Sequence, residues 1–281
     1  MACSEFPETT LVLIGHGSVH SADSAAPIYQ HADAIRLRGL FDQVVVGFWK
    51  QEPALAAVLR GVFASRVVIV PMMISAGYFT EQVYPRELGF ERNERNLFTR
   101  VRHVGKQTLH YADPVGTHDR MGEVLLARAR EVVLRHPFPR PPLAEECSLI
   151  IAGHGTSRNE NSRVAIDRQV DLLRARKLYA QVEAVFLEEQ PRIEESYAIC
   201  QTLNMVVIPF FMSDGPHSRQ DIPIRLGIPS SKVHERLRRN LPVWRNPTEK
   251  HGKRLWYGAG VGNAECLRDV ILDRVRECIS G

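Results

Sequence analysis

VVIPFFMSDGPHSRQDIP, residues 206–223, climbs through an apolar run to a proline, crosses two phenylalanines, breaks at Asp214-Gly215 and delivers His217. An earlier stretch, VVIVPMMISAGYFTEQVYP (67–85), has the same shape but carries Phe79 where the later one has the histidine. The likeness extends in both directions. LVLIGHGS (11–18) matches SLIIAGHGTS (148–157), which sets His16 and His154 138 residues apart. GFWKQEP (47–53) matches VFLEEQP (185–191), and RELGF (86–90) matches IRLGI (224–228), at that same offset. HYADPVGT (110–117) then matches WYGAGVGN (256–263) at 146, so the second copy holds eight more residues (146 less 138), placed in the basic segment 230–254. Chance matches would not share one register, so the chain is a tandem repeat.

Between the copies lies RHPFPRPPLAEE (135–146), whose prolines mark a linker. The expected division is an N-terminal repeat over 1–135, a linker over 136–146 and a C-terminal repeat over 147–281. Within the second repeat, CSLIIAGHG, AQVEAVFLEE, NMVVIPFFMS and RLWYGAGVG are short apolar runs that read as strands. NSRVAIDRQVDLLRAR (161–176) and AECLRDVILDRVREC (264–278) have helical apolar spacing, and PRIEESYAICQTL (191–203) opens with a proline suited to a helix start. Strands alternating with amphipathic helices predict an α/β fold: two similar tandem domains, each a parallel sheet flanked by helices, facing one another.

Composition narrows the function classes. The 281 residues are 44% hydrophobic and 24% charged, as in a soluble globular protein. No apolar stretch approaches the roughly 20 residues of a membrane span, and the N-terminus lacks the basic region of a signal peptide. Five cysteines without CxxC spacing give no zinc ribbon or ordinary iron–sulfur motif and point to a reducing cytoplasm. A net charge of +4 suits an anionic small molecule and is too weak to argue for nucleic acid.

In open parallel sheets, ligands sit beyond the carboxyl ends of the strands. In the second repeat, those ends carry His154, Glu188 with Glu189, and His217. Two imidazoles and a carboxylate suit a borderline divalent ion such as Co²⁺, Fe²⁺, Ni²⁺ or Zn²⁺, and can also accept protons near neutral pH. The first repeat keeps His16 but has Lys50 in place of Glu188 and Phe79 in place of His217, so only the second copy has the donor set.

GHG after the first strand, FLE near the end of the second, and IPFF-x3-G-x-H-x3-DIP after the third resemble the class II tetrapyrrole chelatases. These are the sirohydrochlorin cobaltochelatases and ferrochelatases of the CbiX, SirB and CbiK type. The resemblance covers nearly the whole chain in two copies. It implies a ferrochelatase-like fold with the macrocycle in a cleft between the halves, and a metal held and inserted by His154, His217 and Glu188. It further implies a divalent metal as substrate, Co²⁺ favoured over Fe²⁺, a sirohydrochlorin-like partner and no permanently bound cofactor. FLEEQP is one residue shorter than the family's FLE-x3-P, which leaves Glu188 and Glu189 both open as the carboxylate. Arg158, Arg163, Arg192, Arg219 and Arg225, with Ser213 and Gly215, are candidates to meet the substrate and its carboxylates. Two repeats in one chain mimic a dimer, so a monomer is expected.

Weighed against this are plainer readings. A single histidine at a strand end is most often a hydrogen-bonding residue, which is the reading for His16. GHG also resembles the RHG of histidine phosphatases, but glycine precedes both histidines here. A metal-delivery protein on a chelatase scaffold is the alternative of a different class.

Overall fold

The computed structural model describes residues 5–19, 24–155 and 161–280. Strand β1 (Phe6–Gly15) is buried from Thr9 onward, as a strand covered on both faces must be. It leads to α1 (Ala26–Arg38), β2 (Phe41–Phe48), β3 (Arg66–Pro71) and a π-helical turn (Phe79–Val83) that runs into α2 (Tyr84–Glu87). The hairpin β4 (Val101–Val104) and β5 (Gln107–Tyr111) and the helix α3 (Met121–Arg135) complete the first repeat. The second proceeds through β6 (Cys147–Gly153), α4 (Asn161–Ala175), β7 (Gln181–Phe186), α5 (Ser196–Ile199) and β8 (Asn204–Pro209). A second π-helical turn (His217–Asp221), α6 (Ile222–Arg225), α7 (Ser230–Arg238), β9 (Thr248–Lys250), β10 (Lys253–Tyr257) and α8 (Leu267–Ser280) follow.

Each repeat builds a five-stranded sheet, ordered β2-β1-β3-β5-β4 and β7-β6-β8-β10-β9. Four strands are parallel, and the edge strands β4 and β9 are antiparallel to their neighbours. The expected parallel sheet is present in each repeat, extended by one antiparallel edge strand. The edge strands escape a search for apolar runs because VRHV and TEK are short, interrupted by charged residues and without a buried position. The segment expected to hold the eight extra residues carries α7, a nine-residue helix with no helix at the corresponding place in the first repeat. The helix foreseen from Pro191 shrinks to a single 3-10 turn and the four-residue α5, ended by extended backbone at Cys200.

Two compact units emerge: residues 1–118 with 265–281, and residues 119–264. These differ from the sequence repeats because each repeat's last helix packs in the other's unit. In the 119–264 unit, α3 lies against β8, β10 and α4. In the other, α8 lies against β3 and the 3-10 turn Val115–Thr117. A buried arginine on each helix secures it. Arg128 donates to the Gly260 carbonyl at 3.0 Å and to the Asn263 side chain. Arg274, at the matching position, donates to the Pro114 carbonyl at 3.0 Å and to Thr117 Oγ1 at 2.7 Å. Such guanidinium bonds satisfy carbonyls that would otherwise be buried without a partner. The proline-rich segment belongs to the 119–264 unit, where the His136 carbonyl accepts the buried Trp256 indole N–H at 2.8 Å.

Registers bring the strand ends of the second unit level: Gly153 pairs with Phe186, and Ala152 with Pro209. The first unit repeats this with Gly15 opposite Phe48 and Ile14 opposite Pro71. The loop after β10 must also approach the loop after β8 closely. At Gly262 any side chain would strike the Met212 carbonyl, as at Gly116 it would strike that of Ile74.

Candidate functional site

Beyond the level ends of β6, β7 and β8, the chain turns in a way fixed by short backbone bonds. The Glu188 amide donates to the His154 carbonyl at 3.0 Å, and the Phe210 amide to that of Ala152 at 2.8 Å. Gly155 takes a left-handed conformation (φ +64°) that turns the chain directly after His154. The third arm comes from the π-helical turn. Its anchor is Tyr257, a half-buried residue whose hydroxyl donates to the Ser218 carbonyl at 2.5 Å. Burial holds the Tyr257 phenol well above its ordinary pKa, so it stays a donor.

His154, Glu188 and His217 line one open pocket of about 320 Å³ together with Leu187, Asp221, Ile224 and Arg225. That volume is at the small end for organic-ligand pockets, enough for an ion and the edge of a larger molecule. The His154 and His217 rings stand edge to face with centroids 4.8 Å apart. His154 Nε2 lies 3.9 Å from Glu188 Oε1. Two donors each about 2.1 Å from one ion lie at most about 4.2 Å apart, so this pair can share an ion.

Hydrogen bonds fix the proton positions. His154 Nδ1 is 2.6 Å from the Gly155 carbonyl, which only accepts, so Nδ1 carries the hydrogen. His217 Nδ1 is 2.7 Å from Asp221 Oδ2, and an ionised carboxylate likewise only accepts. Neutral, each imidazole presents a bare Nε2 lone pair, the form needed to bind a cation or take a proton. Among the described residues, no group of three His, Cys, Asp or Glu side chains is placed to hold a metal ion. Joint ligation by His154, His217 and Glu188 therefore needs a side chain to move, and Glu188, with 56% of its side chain exposed, is the arm with most room to do so.

Of the two adjacent glutamates, Glu188 lines the pocket, whereas Glu189 turns to Arg163 at 3.4 Å. Arg163 also donates to the Gln190 carbonyl, and Arg192 to that of Leu187, so both brace the turn after β7. Arg225 lines the pocket while pairing with Glu194. Ser213 and Gly215 lie in the preceding loop, where the Gly215 carbonyl accepts from the Arg219 amide and the Ser218 hydroxyl. Arg219 is exposed on the π-helical turn. Arg158 falls outside the described residues. Sequence reasoning missed Asp221 and Tyr257. The first was legible as a carboxylate four residues after His217, the second as the Tyr111/Tyr257 match of the two copies.

The equivalent place in the first unit is filled differently. His16 keeps the same bond, Nδ1 to the Gly17 carbonyl at 2.8 Å. Its ring is flanked by Phe79 at 4.8 Å and Trp49 at 5.3 Å between centroids, and Lys50 Nζ sits 3.8 Å from the Trp49 ring centre.

The CbiX family model matches twice, at residues 10–132 and 148–278. The chain belongs to the CbiX family. Both CbiX segments keep the GHG element and the π-helical turn after the third strand. A probable sirohydrochlorin cobaltochelatase of Halobacterium salinarum is 39% identical over 277 residues, covering 95% of this chain and 90% of that one. A structure from Deinococcus radiodurans, described as multi-domain with structural similarity to chelatases, is 30% identical with a TM-score of 0.73. It aligns over 94% of this chain and 54% of its own, so the present chain spans about half of that protein. SirB of Bacillus subtilis, solved with Fe³⁺, matches at TM-score 0.67 over 96% of this chain and 95% of its own. At 14% identity that last likeness speaks for the fold alone.

Proposed function

We propose that this CbiX-family protein is a sirohydrochlorin chelatase that inserts a divalent metal, Co²⁺ in preference to Fe²⁺, into the macrocycle. The observation that carries this is the pair of imidazoles with hydrogen-bonded Nδ1 atoms, which line one pocket with Glu188, His154 Nε2 lying 3.9 Å from its carboxylate. The reaction releases two protons: the metal ion replaces the hydrogens of two pyrrole N–H groups, and the four ring nitrogens become its ligands. His154, His217 and Glu188 are assigned to hold the incoming ion. As the ion passes to the ring, each freed imidazole takes one of the two pyrrole protons at Nε2, and Asp221 at 2.7 Å stabilises the imidazolium of His217. Loose holding suits this work, because a tight cage would retain the metal that must be handed over. The same point weakens the delivery-protein reading, which calls for secure holding.

Arg219 is proposed to meet a substrate carboxylate beside His217, and Ser213 and Gly215 to shape the approach. Arg158 keeps the same proposed role on sequence grounds. Among the described residues, no two cysteines are joined in a disulfide. Among the described residues, no helix is long and apolar enough to cross a membrane.

The test is anaerobic insertion of Co²⁺ or Fe²⁺ into sirohydrochlorin, followed by its absorption change. His154→Ala and His217→Ala should abolish turnover, whereas His16→Ala should retain most of it. Equal losses from all three would defeat the single-site assignment. Metal binding by the wild type without any insertion would favour delivery.

A further inference from the structure

At the amino-terminal ends of the strands, away from the histidine pocket, the two units meet one packing problem differently. In the first unit, Phe6 opens β1, is buried, and stacks on Phe41 with ring centroids 4.7 Å apart. The preceding residue, Glu5, places Oε1 2.9 Å from Nε and 2.8 Å from Nη2 of Arg276 on α8. Arg276 also donates to Asp273 at 2.6 Å. An aromatic ring and a neighbouring carboxylate, both from the chain itself, thus occupy this end of the first unit.

The second unit keeps the receiving groups and lacks what fills them. At the 138-residue offset, Phe41 corresponds to Tyr179, Phe6 to Ala144 and Glu5 to Leu143. At the 146-residue offset, Arg276 corresponds to Arg130 of α3, and Asp273 to Ala127. A methyl group therefore stands where the first unit has a ring, and neither acid is present. Arg130 is exposed, and among the described residues no carboxylate pairs with it. Here the second unit has a cavity of about 340 Å³, lined by Arg130, Ala144 and Tyr179 with the buried Val133, Cys147 and Val206. Leu134, Leu143 and Leu178 line it too and are exposed, so the opening is apolar as well. The Tyr179 phenol is pushed up to about 12 by burial and the adjacent Cys147, against the opposing pull of the Arg130 cation, so the ring is a neutral wall with a positive charge beside it. A cavity of this size with apolar walls and one cation has the make-up of a site for a small organic anion.

We propose that this cavity of the second unit binds a small aromatic carboxylic acid: the ring lies against Tyr179 as Phe6 lies against Phe41, and the carboxylate pairs with Arg130 as Glu5 pairs with Arg276. The Glu5-Phe6 pair of the same chain supplies both halves of the ligand's chemistry. Ring stacking favours an aromatic body over an aliphatic one, and the guanidinium favours a carboxylate over a neutral polar group. The site shares no residue with the pocket of His154, Glu188 and His217, and it stands whether or not the protein is a chelatase.

The test is titration of the full chain with phenylpropionate, by calorimetry and by ligand-observed NMR. One site per chain is expected, with a Kd of about 1 mM or tighter. Phenylpropanol, which keeps the ring without the charge, should bind at least about tenfold more weakly, and so should phenylpropionate to Arg130→Met. Octanoate, which keeps the charge without the ring, should bind severalfold more weakly, and Arg130→Lys should lose less than Arg130→Met. The double substitution Leu143→Glu with Ala144→Phe gives the second unit the first unit's own pair and should abolish binding. Arg130 is exposed, so Arg130→Met keeps the proposal testable if the double variant fails to fold, and thermal unfolding curves would show which variants are folded. Absence of saturable binding by the wild type overturns the site. Undiminished binding in Arg130→Met, or in a folded double variant, overturns it as well. Equal affinity for phenylpropanol or octanoate overturns the ligand class.

Discussion

Removing the Asp221 carboxylate isolates what fixes the proton on His217. The bond from His217 Nδ1 is 2.7 Å long, and the two side chains are 46% and 45% exposed. Solvent screening at that exposure limits its share of folding stability to roughly 0.2–1 kcal/mol. The unfolding temperature of Asp221→Ala should therefore fall by no more than about 4 °C. Chemistry should suffer more. Without the carboxylate, the Nδ1 and Nε2 tautomers compete, and the imidazolium formed on proton uptake loses its counter-charge. Changes to a partner behind a metal-binding histidine typically cost about 10–100-fold, or roughly 1.4–2.7 kcal/mol at the transition state. Asp221→Asn keeps an oxygen that can accept from Nδ1 and should fall between Ala and wild type. The assay is anaerobic kcat and kcat/KM for Co²⁺ insertion, with Co²⁺ affinity measured separately. Wild-type kcat/KM in Asp221→Ala would refute the assignment.

Three further outcomes are expected. Glu188→Gln should impair Co²⁺ binding and insertion by tenfold or more, whereas Glu189→Gln should mainly lower stability by loosening Arg163, which activity and thermal melts would separate. Tyr257→Phe should cost about 1–3 kcal/mol in denaturant unfolding, because the Ser218 carbonyl loses its donor, and should lower kcat by freeing the turn that carries His217. Burial pushes the Cys147 thiol up to about 12 from an ordinary 9.0. Since only the thiolate reacts, native Cys147 should alkylate about 1,000-fold more slowly at pH 8 than an exposed thiol, as mass-mapped labelling would reveal.

The doubling of the fold and its parallel strands were legible because buried strands are written as continuous apolar runs, and a repeat keeps their spacing. His154, Glu188 and His217 could be singled out because they interrupt those runs at one end of the sheet. The edge strands β4 and β9 were not legible, since solvent-facing positions place little demand on side chains. The exchange of α3 and α8 between compact units was also hidden. Amphipathic spacing shows that a helix has a buried face, but not which sheet covers it; Arg128 and Arg274 become informative only with their carbonyl partners in view. Which of Glu188 and Glu189 lines the pocket depends on side-chain direction after β7, which adjacent identical residues cannot reveal. Asp221 was passed over because its meaning depends on the backbone turning helically after His217.

A crystal structure of the protein soaked anaerobically in Co²⁺, with anomalous scattering recorded across the cobalt edge, would address the account most directly. It predicts one strong peak roughly 2.0–2.2 Å from the Nε2 atoms of His154 and His217 and from a Glu188 carboxylate oxygen. A peak beside His16 and Lys50, or cobalt bound elsewhere with those three side chains empty, would contradict it.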